Sequence, residues 1–142
     1  MKNKFVFLEH TADVEFGAFG GTLEEVFKNS ALALQATLTQ EKVLKKNMKK
    51  IHVRGSDKES LLANFLNELI FLFDSEQFLI GDIKRLKIVE RKEGYILDAD
   101  VAGDSSEKYV IKLYVKAATY HEMKIVFDVQ KKLWRAKVVL DV

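Results

Sequence analysis

The chain contains neither cysteine nor proline. Without cysteine there is no disulfide, no thiolate metal site and no cysteine nucleophile, and the composition agrees with a reducing, cytoplasmic setting. Without proline, cis-proline switches are excluded, and every turn falls to Gly, Asn, Asp, Ser or lysine-rich stretches. A dominant charge is lacking too: 23 Lys and Arg stand against 21 Asp and Glu. That excess is too small for a protein whose whole surface grips phosphate. No apolar run approaches the ~20 residues of a membrane span, and Met1-Lys2-Asn3-Lys4-Phe5 has neither the apolar core nor the cleavage site of a leader. A soluble chain with no membrane partner is expected.

What is present is 142 residues, 48% of them hydrophobic. That suits one domain over residues 1–142, burying roughly two thirds of its unfolded surface. Residues 4–8 and 14–19 read as short strands, with His10 to Asp13 between them and Gly20-Gly21 closing the second. Thr22-Leu23-Glu24-Glu25 is a capping box, so a helix follows. Its apolar stripe is Leu23, Val26, Phe27, Ala31, Leu34 and Leu38, with Glu24, Lys28 and Gln35 facing water. Residues 39–50 carry five lysines and read as an exposed connection into a strand around Ile51 and Val53. A second box, Ser56-Asp57-Lys58-Glu59, opens a helix through Phe73 with Leu61, Leu62, Phe65, Leu66, Leu69, Ile70 and Phe73 inward. Alternation then dominates: Leu86 and Ile88 before the Glu93-Gly94 turn, Tyr95 to Val101, Tyr109 to Tyr120, Met123 to Val129, and Leu133 to Val142. The order predicts an α+β fold, two amphipathic helices packed on a largely antiparallel sheet.

Two segments draw attention to chemistry. Val138-Val139-Leu140-Asp141-Val142 keeps an apolar strand to its last residues, which reads as an anchored end presenting the Asp141 carboxylate and the α-carboxylate of Val142. Asp13 follows the first apolar strand and offers a carboxylate that could meet them. Carboxylates brought together repel one another unless a cation sits among them. Oxygen-only donors favour Ca²⁺, Mg²⁺ or Mn²⁺ over Zn²⁺ or copper. Each residue also has a plainer reading: His10 as a hydrogen-bonded turn residue, Asp13 as a turn cap, Asp141 as a solvated strand end, and Lys116 as a snorkelling lysine. Trp134 and the Phe-rich second helix read as core. Gly17, Gly20 and Gly21 lack the lysine and spacing of a phosphate loop, and no Ser-His-Asp or paired-carboxylate catalytic set appears.

Five segments in order resemble the archease family. They are His10-Thr11-Ala12-Asp13-Val14; Gly21-Thr22-Leu23-Glu24-Glu25-Val26-Phe27; Leu61-Leu62 with Phe65-Leu66-Asn67-Glu68-Leu69; Val115-Lys116-Ala117-Ala118-Thr119-Tyr120-His121; and Leu140-Asp141-Val142. The resemblance spans nearly the whole chain. It implies a small, cytoplasmic α+β protein that is not itself an enzyme. Its role would be to assist a GTP-dependent RNA ligase of the RtcB type in tRNA splicing and RNA repair, touching RNA only through the ligase. It further implies a divalent metal held by Asp13, Asp141 and Val142, with Lys116 as the functional lysine and His10 beside it at the partner surface. Two departures are Glu9, where Asp is usual, and the absence of a histidine in residues 103–112. A metal-dependent phosphoester hydrolase using the same carboxylates, with His10 or His121 as base, is the rival reading. A third is a nucleic-acid-binding module with Lys42, Lys45, Lys46, Lys49 and Lys50 on phosphate.

Overall fold

The computed structural model describes residues 4–8 and 13–142. Strands Phe5–Leu8 (β1) and Val14–Gly20 (β2) precede helix Leu23–Leu38 (α1). Strand Asn47–Gly55 (β3), helix Lys58–Glu76 (α2) and the long strands Phe78–Arg91 (β4) and Gly94–Ser105 (β5) follow. The chain ends with Ala117–Ala118 (β6), Lys124–Asp128 (β7) and Leu133–Asp141 (β8). The expected α+β architecture is observed, with the strands divided between two antiparallel sheets. One has the order β1-β2-β8-β6 with β7 also pairing β8, and the other has the order β3-β5-β4. No helix among the described residues is long and apolar enough to cross a membrane.

Local chemistry explains the helices. Thr22 caps α1 by accepting from the Glu25 N–H (3.1 Å), as its sequence predicts. The box on α2 is shifted by one residue from the expected Ser56–Glu59. Asp57 is the N-cap, its carboxylate accepting from the Ser60 N–H (2.7 Å) while the Ser60 hydroxyl accepts from the Asp57 N–H (3.1 Å). Asp competes well with Ser for the cap, and Ser60 does the work expected of Glu59. Val26, Phe27, Ala31, Leu34 and Leu38 of α1, and Leu61, Leu62, Phe65, Leu66, Leu69, Ile70 and Phe73 of α2, are buried as the periodicity predicts. Gln35 is not directed to water: its side-chain amide donates to the Ile80 and Gly81 carbonyls (2.8 and 2.9 Å). The β4–β5 register shifts between Ile80 and Asp82. An irregular ladder frees carbonyls, and Gln35 supplies the donor they would otherwise lack.

Three strand expectations change. β3 starts at Asn47, so Lys49 and Lys50 lie in the strand rather than in the connection. β4 starts at Phe78, well before Leu86. Of the expected strand from Tyr109 to Tyr120, only Ala117–Ala118 joins a ladder. Residues 110–116 alternate in exposure like a strand but bond elsewhere: the Lys112 N–H donates to the Leu38 carbonyl (2.9 Å) and the Thr39 hydroxyl to that of Val110 (2.8 Å). Trp134 is half-buried, its ring against Phe127 (5.2 Å) and beneath the Lys58 ammonium (5.9 Å).

Candidate functional site

The far end of β8 is where the chain's separated segments meet. β2 runs antiparallel to β8 with Val14 opposite Leu140. Asp13 immediately precedes Val14 and Asp141 immediately follows Leu140, so the two lie at the same end of this ladder. On the other edge β6 pairs with the same end, Ala117 opposite Asp141 and Ala118 opposite Leu140. The Lys116 N–H donates to the Asp141 main-chain carbonyl (2.7 Å). Asp13, Lys116 and Asp141, 128 residues apart at their extremes, thus flank one strand end.

The fold holds this end firmly. Val138, Val139 and Leu140 are fully buried, whereas Asp13, Asp141 and Val142 are half-buried and Lys116 is exposed. Cross-strand partners share a face of a sheet. Leu140 and Val14, paired across the ladder, both pack on the core. β6 is only two residues long, and its second edge is closed by a side chain. Asn67 of α2 donates to the Ala118 carbonyl (3.2 Å) and accepts from the Ala118 N–H (2.8 Å), the two bonds a neighbouring strand would make. Thr119 ties the next residue to β8 through its N–H and hydroxyl, both donating to the Val139 carbonyl (3.0 and 3.2 Å).

A second fastening joins this segment to the start of α2. The Tyr120 hydroxyl donates to the Asp57 carboxylate (2.8 Å), whose other oxygen caps the helix. The Ser60 N–H first, and the Tyr120 and Ser60 hydroxyls after it, hold the Asp57 carboxyl below the usual carboxylate range against a smaller opposing push from burial. The Asp57 charge in turn pushes the Tyr120 hydroxyl upward. Asn67, Tyr120 and Asp57 are positioning residues to which the sequence reading gave no such role, although Asp57 stood in the expected capping box and Asn67 and Tyr120 in the family-like segments.

Beside Asp13 a groove of about 290 Å³ runs between Phe7, Leu8, Val14, Glu15, Thr37, Lys112 and Leu113. Glu15 lies 3.8 Å from the Lys137 ammonium. Among the described residues no three His, Cys, Asp or Glu side chains come together. Among the described residues Asp13 and Asp141 supply two carboxylates, and Val142 adds main-chain oxygen. Such a set fits a hard cation that keeps part of its hydration shell, and does not fit a closed zinc site. His10 and Glu9 fall outside the described residues. His121 is exposed at the turn after β6. Of the expected basic patch, Lys45, Lys49 and Lys50 are engaged with Asp82 (3.5 Å), Glu76 (2.6 Å) and Asp100 (3.1 Å).

Comparison with known proteins identifies relatives of the whole chain. The Archease protein family (MTH1598/TM1083) matches residues 5–142. The protein archease of Pyrococcus abyssi is 40% identical over 141 residues, covering 94% of this chain and 95% of its own. That of Methanosarcina mazei is 33% identical over 142 residues, covering 98% and 96%. The solution structure of Methanobacterium thermoautotrophicum protein 1598 superposes with a TM-score of 0.81 at 34% identity, over 98% of this chain and 99% of that one.

Proposed function

The chain belongs to the archease family, and from that premise we propose that it is a non-catalytic accessory protein of a GTP-dependent RNA ligase of the RtcB type. In this reading it promotes guanylylation of the ligase and so sustains repeated turnover in tRNA splicing and RNA repair. The observation that supports it most is the meeting of Asp13, Asp141 and Lys116 at one strand end, two carboxylates and a cation carried by rigid neighbours.

Asp13, Asp141 and the main-chain oxygens of Val142 would hold a divalent ion, Ca²⁺, Mg²⁺ or Mn²⁺, which when bound supplies a positive centre for oxygen ligands of the partner's site. The protein's own residues do the rest. The buried Val138-Val139-Leu140 run fixes where Asp141 stands, and Asn67 fixes β6 so that Lys116 stands next to it. An exposed lysine on a clamped backbone loses less freedom when it engages a carboxylate or phosphate of the ligase. In this reading His10 is a further contact to the same partner.

Multiple-turnover ligation with a purified ligase tests the reading. Asp13→Ala, Asp141→Ala and Lys116→Ala are each expected to lower the stimulated rate at least tenfold, while single-turnover joining by pre-guanylylated ligase is unchanged. Full stimulation by all three variants would overturn it. So would metal-dependent phosphoester cleavage by the isolated protein.

A further inference from the structure

Away from the carboxylate end, a cleft of about 690 Å³ opens between the end of β3, the first turns of α2 and the β4–β5 hairpin. Arg54, Arg91 and Lys92 rim it, and all three are exposed. Among the described residues none of the three makes an ion pair, whereas Lys45, Lys49, Lys50, Arg85 and Lys108 each lie within 4.0 Å of a carboxylate. Glu93, the acidic residue on the rim, pairs with none of them. Other described cations are unpaired as well; what sets these three apart is that they converge on one hollow.

The backbone keeps that hollow in shape. A Cβ at Gly55 would collide with the backbone of Leu61, so glycine lets the end of β3 lie directly on α2. Gly94 has φ +137° and faces the Gly55 carbonyl, which brings the hairpin tip down on the same spot. Asn64 of α2 donates to the Arg54 carbonyl (2.6 Å) and pins that strand end. The cations therefore stand on a braced frame.

The geometry points to a binding site for the phosphodiester backbone of a nucleic-acid strand. Guanidinium forks match phosphate oxygens, and Ser56 and Asn64 add the neutral donors that such backbones accept. Tyr95 is the sole aromatic lining residue, and its ring lies under the Lys58 ammonium at 5.2 Å, which leaves no platform for a stacked base. The site reads charge and spacing, not sequence. An acidic peptide would need apolar pockets between its carboxylates, and beyond Tyr95 only Ile96 supplies apolar lining. Lys58 also sits over Trp134, so the cleft lies toward the start of β8. From there to Asp141 is seven residues, roughly 23 Å of strand. The inference asks nothing of Asp13, Asp141 or a ligase.

Fluorescence anisotropy with the full chain, no ligase, and a labelled unstructured RNA of about 15 nucleotides tests it directly. The triple variant Arg54→Gln/Arg91→Gln/Lys92→Gln is expected to bind at least tenfold more weakly at about 50 mM salt, with the slope of log affinity against log salt reduced by about 2. Lys28→Gln/Lys84→Gln, at residues that do not line the cleft, is expected to match the wild type, and a thermal melt confirms that both variants are folded. Scrambling the RNA sequence is expected to leave affinity unchanged. Undiminished binding by the triple variant, equal loss in the control, or no RNA binding at low salt would overturn the proposal. So would displacement of RNA by stoichiometric GTP or by a poly-glutamate peptide, the first indicating a mononucleotide site and the second a protein-docking site.

Discussion

Asp57 shows how one side chain can serve two structures at once. One oxygen caps α2, and the other accepts from Tyr120 in the segment that carries Lys116. Its carboxyl titrates lower in the folded protein than its ordinary value, so its contribution is complete above about pH 4 and is lost as pH falls through the folded value. Tyr120 is the mirror case. Its hydroxyl is raised, so the pair's contribution is present below about pH 10 and is lost as pH rises through the folded value. Asp57→Ala is expected to lower stability by about 1 kcal/mol at neutral pH. In urea titrations the gap to the wild type should hold from about pH 5 to about pH 9 and close on the acid side. Tyr120→Phe should instead speed amide exchange severalfold at Lys116 and Thr119, whose N–H groups bond β8. Unchanged exchange there would mean that Asn67, Thr119 and the β8 ladder hold β6 without Tyr120.

Among the elements, the β4–β5 hairpin depends on a single glycine. At φ +137° Gly94 lies outside the left-handed well near +57° that Asn tolerates. Gly94→Ala and Gly94→Asn are therefore both expected to destabilise by about 1–3 kcal/mol, read as a lower urea midpoint. A midpoint within error of the wild type would show that the hairpin tip can lift off the end of β3 freely. The sequence announced this turn as Glu93-Gly94, and it announced both helices because caps and 3.6-residue periodicity are local signals. It mislaid the boundaries that depend on partners. Residues 110–116 alternate as a strand does, yet alternation records pleat and burial and not the presence of a neighbour. β4 hid its first half, where the ladder is irregular and Gln35, 45 residues upstream, donates to the Ile80 carbonyl. The candidate site was legible in part for the same reason. Asp141 stands out as the polar end of an apolar strand, but its nearness to Asp13 is a property of β2–β8 register. The clamp by Asn67 and the unpaired cations around Gly55 exist only once the sheets are laid on α2.

At the scale of the whole molecule, two sheets share one core through the helices. α1 packs on β2 and β8 of one sheet and on β4 of the other, and α2 packs on β6 and β7 of the first and on β3, β4 and β5 of the second. The Phe27 and Phe65 rings meet between the two helices, 6.1 Å apart, and both are fully buried. Such an arrangement should make the sheets unfold together, because neither can lose its helix face without exposing the other's. Trp134, the chain's one tryptophan, lies in β8 and reports the five-stranded sheet by fluorescence, while far-UV circular dichroism reports the helices and both sheets. Guanidinium titrations by the two probes are expected to coincide. Phe65→Ala, which empties the junction, is expected to shift both curves together by about 3–5 kcal/mol, a large share of the 5–15 kcal/mol typical of a native protein. Were the tryptophan transition to separate from the dichroism transition in the variant, the five-stranded sheet would be a unit in its own right. The strand end bearing Asp13, Asp141 and Lys116 would then survive loss of the cleft at Arg54, Arg91 and Lys92. Coincident curves mean that any ligand stabilising one of these places stabilises the other by the same free energy.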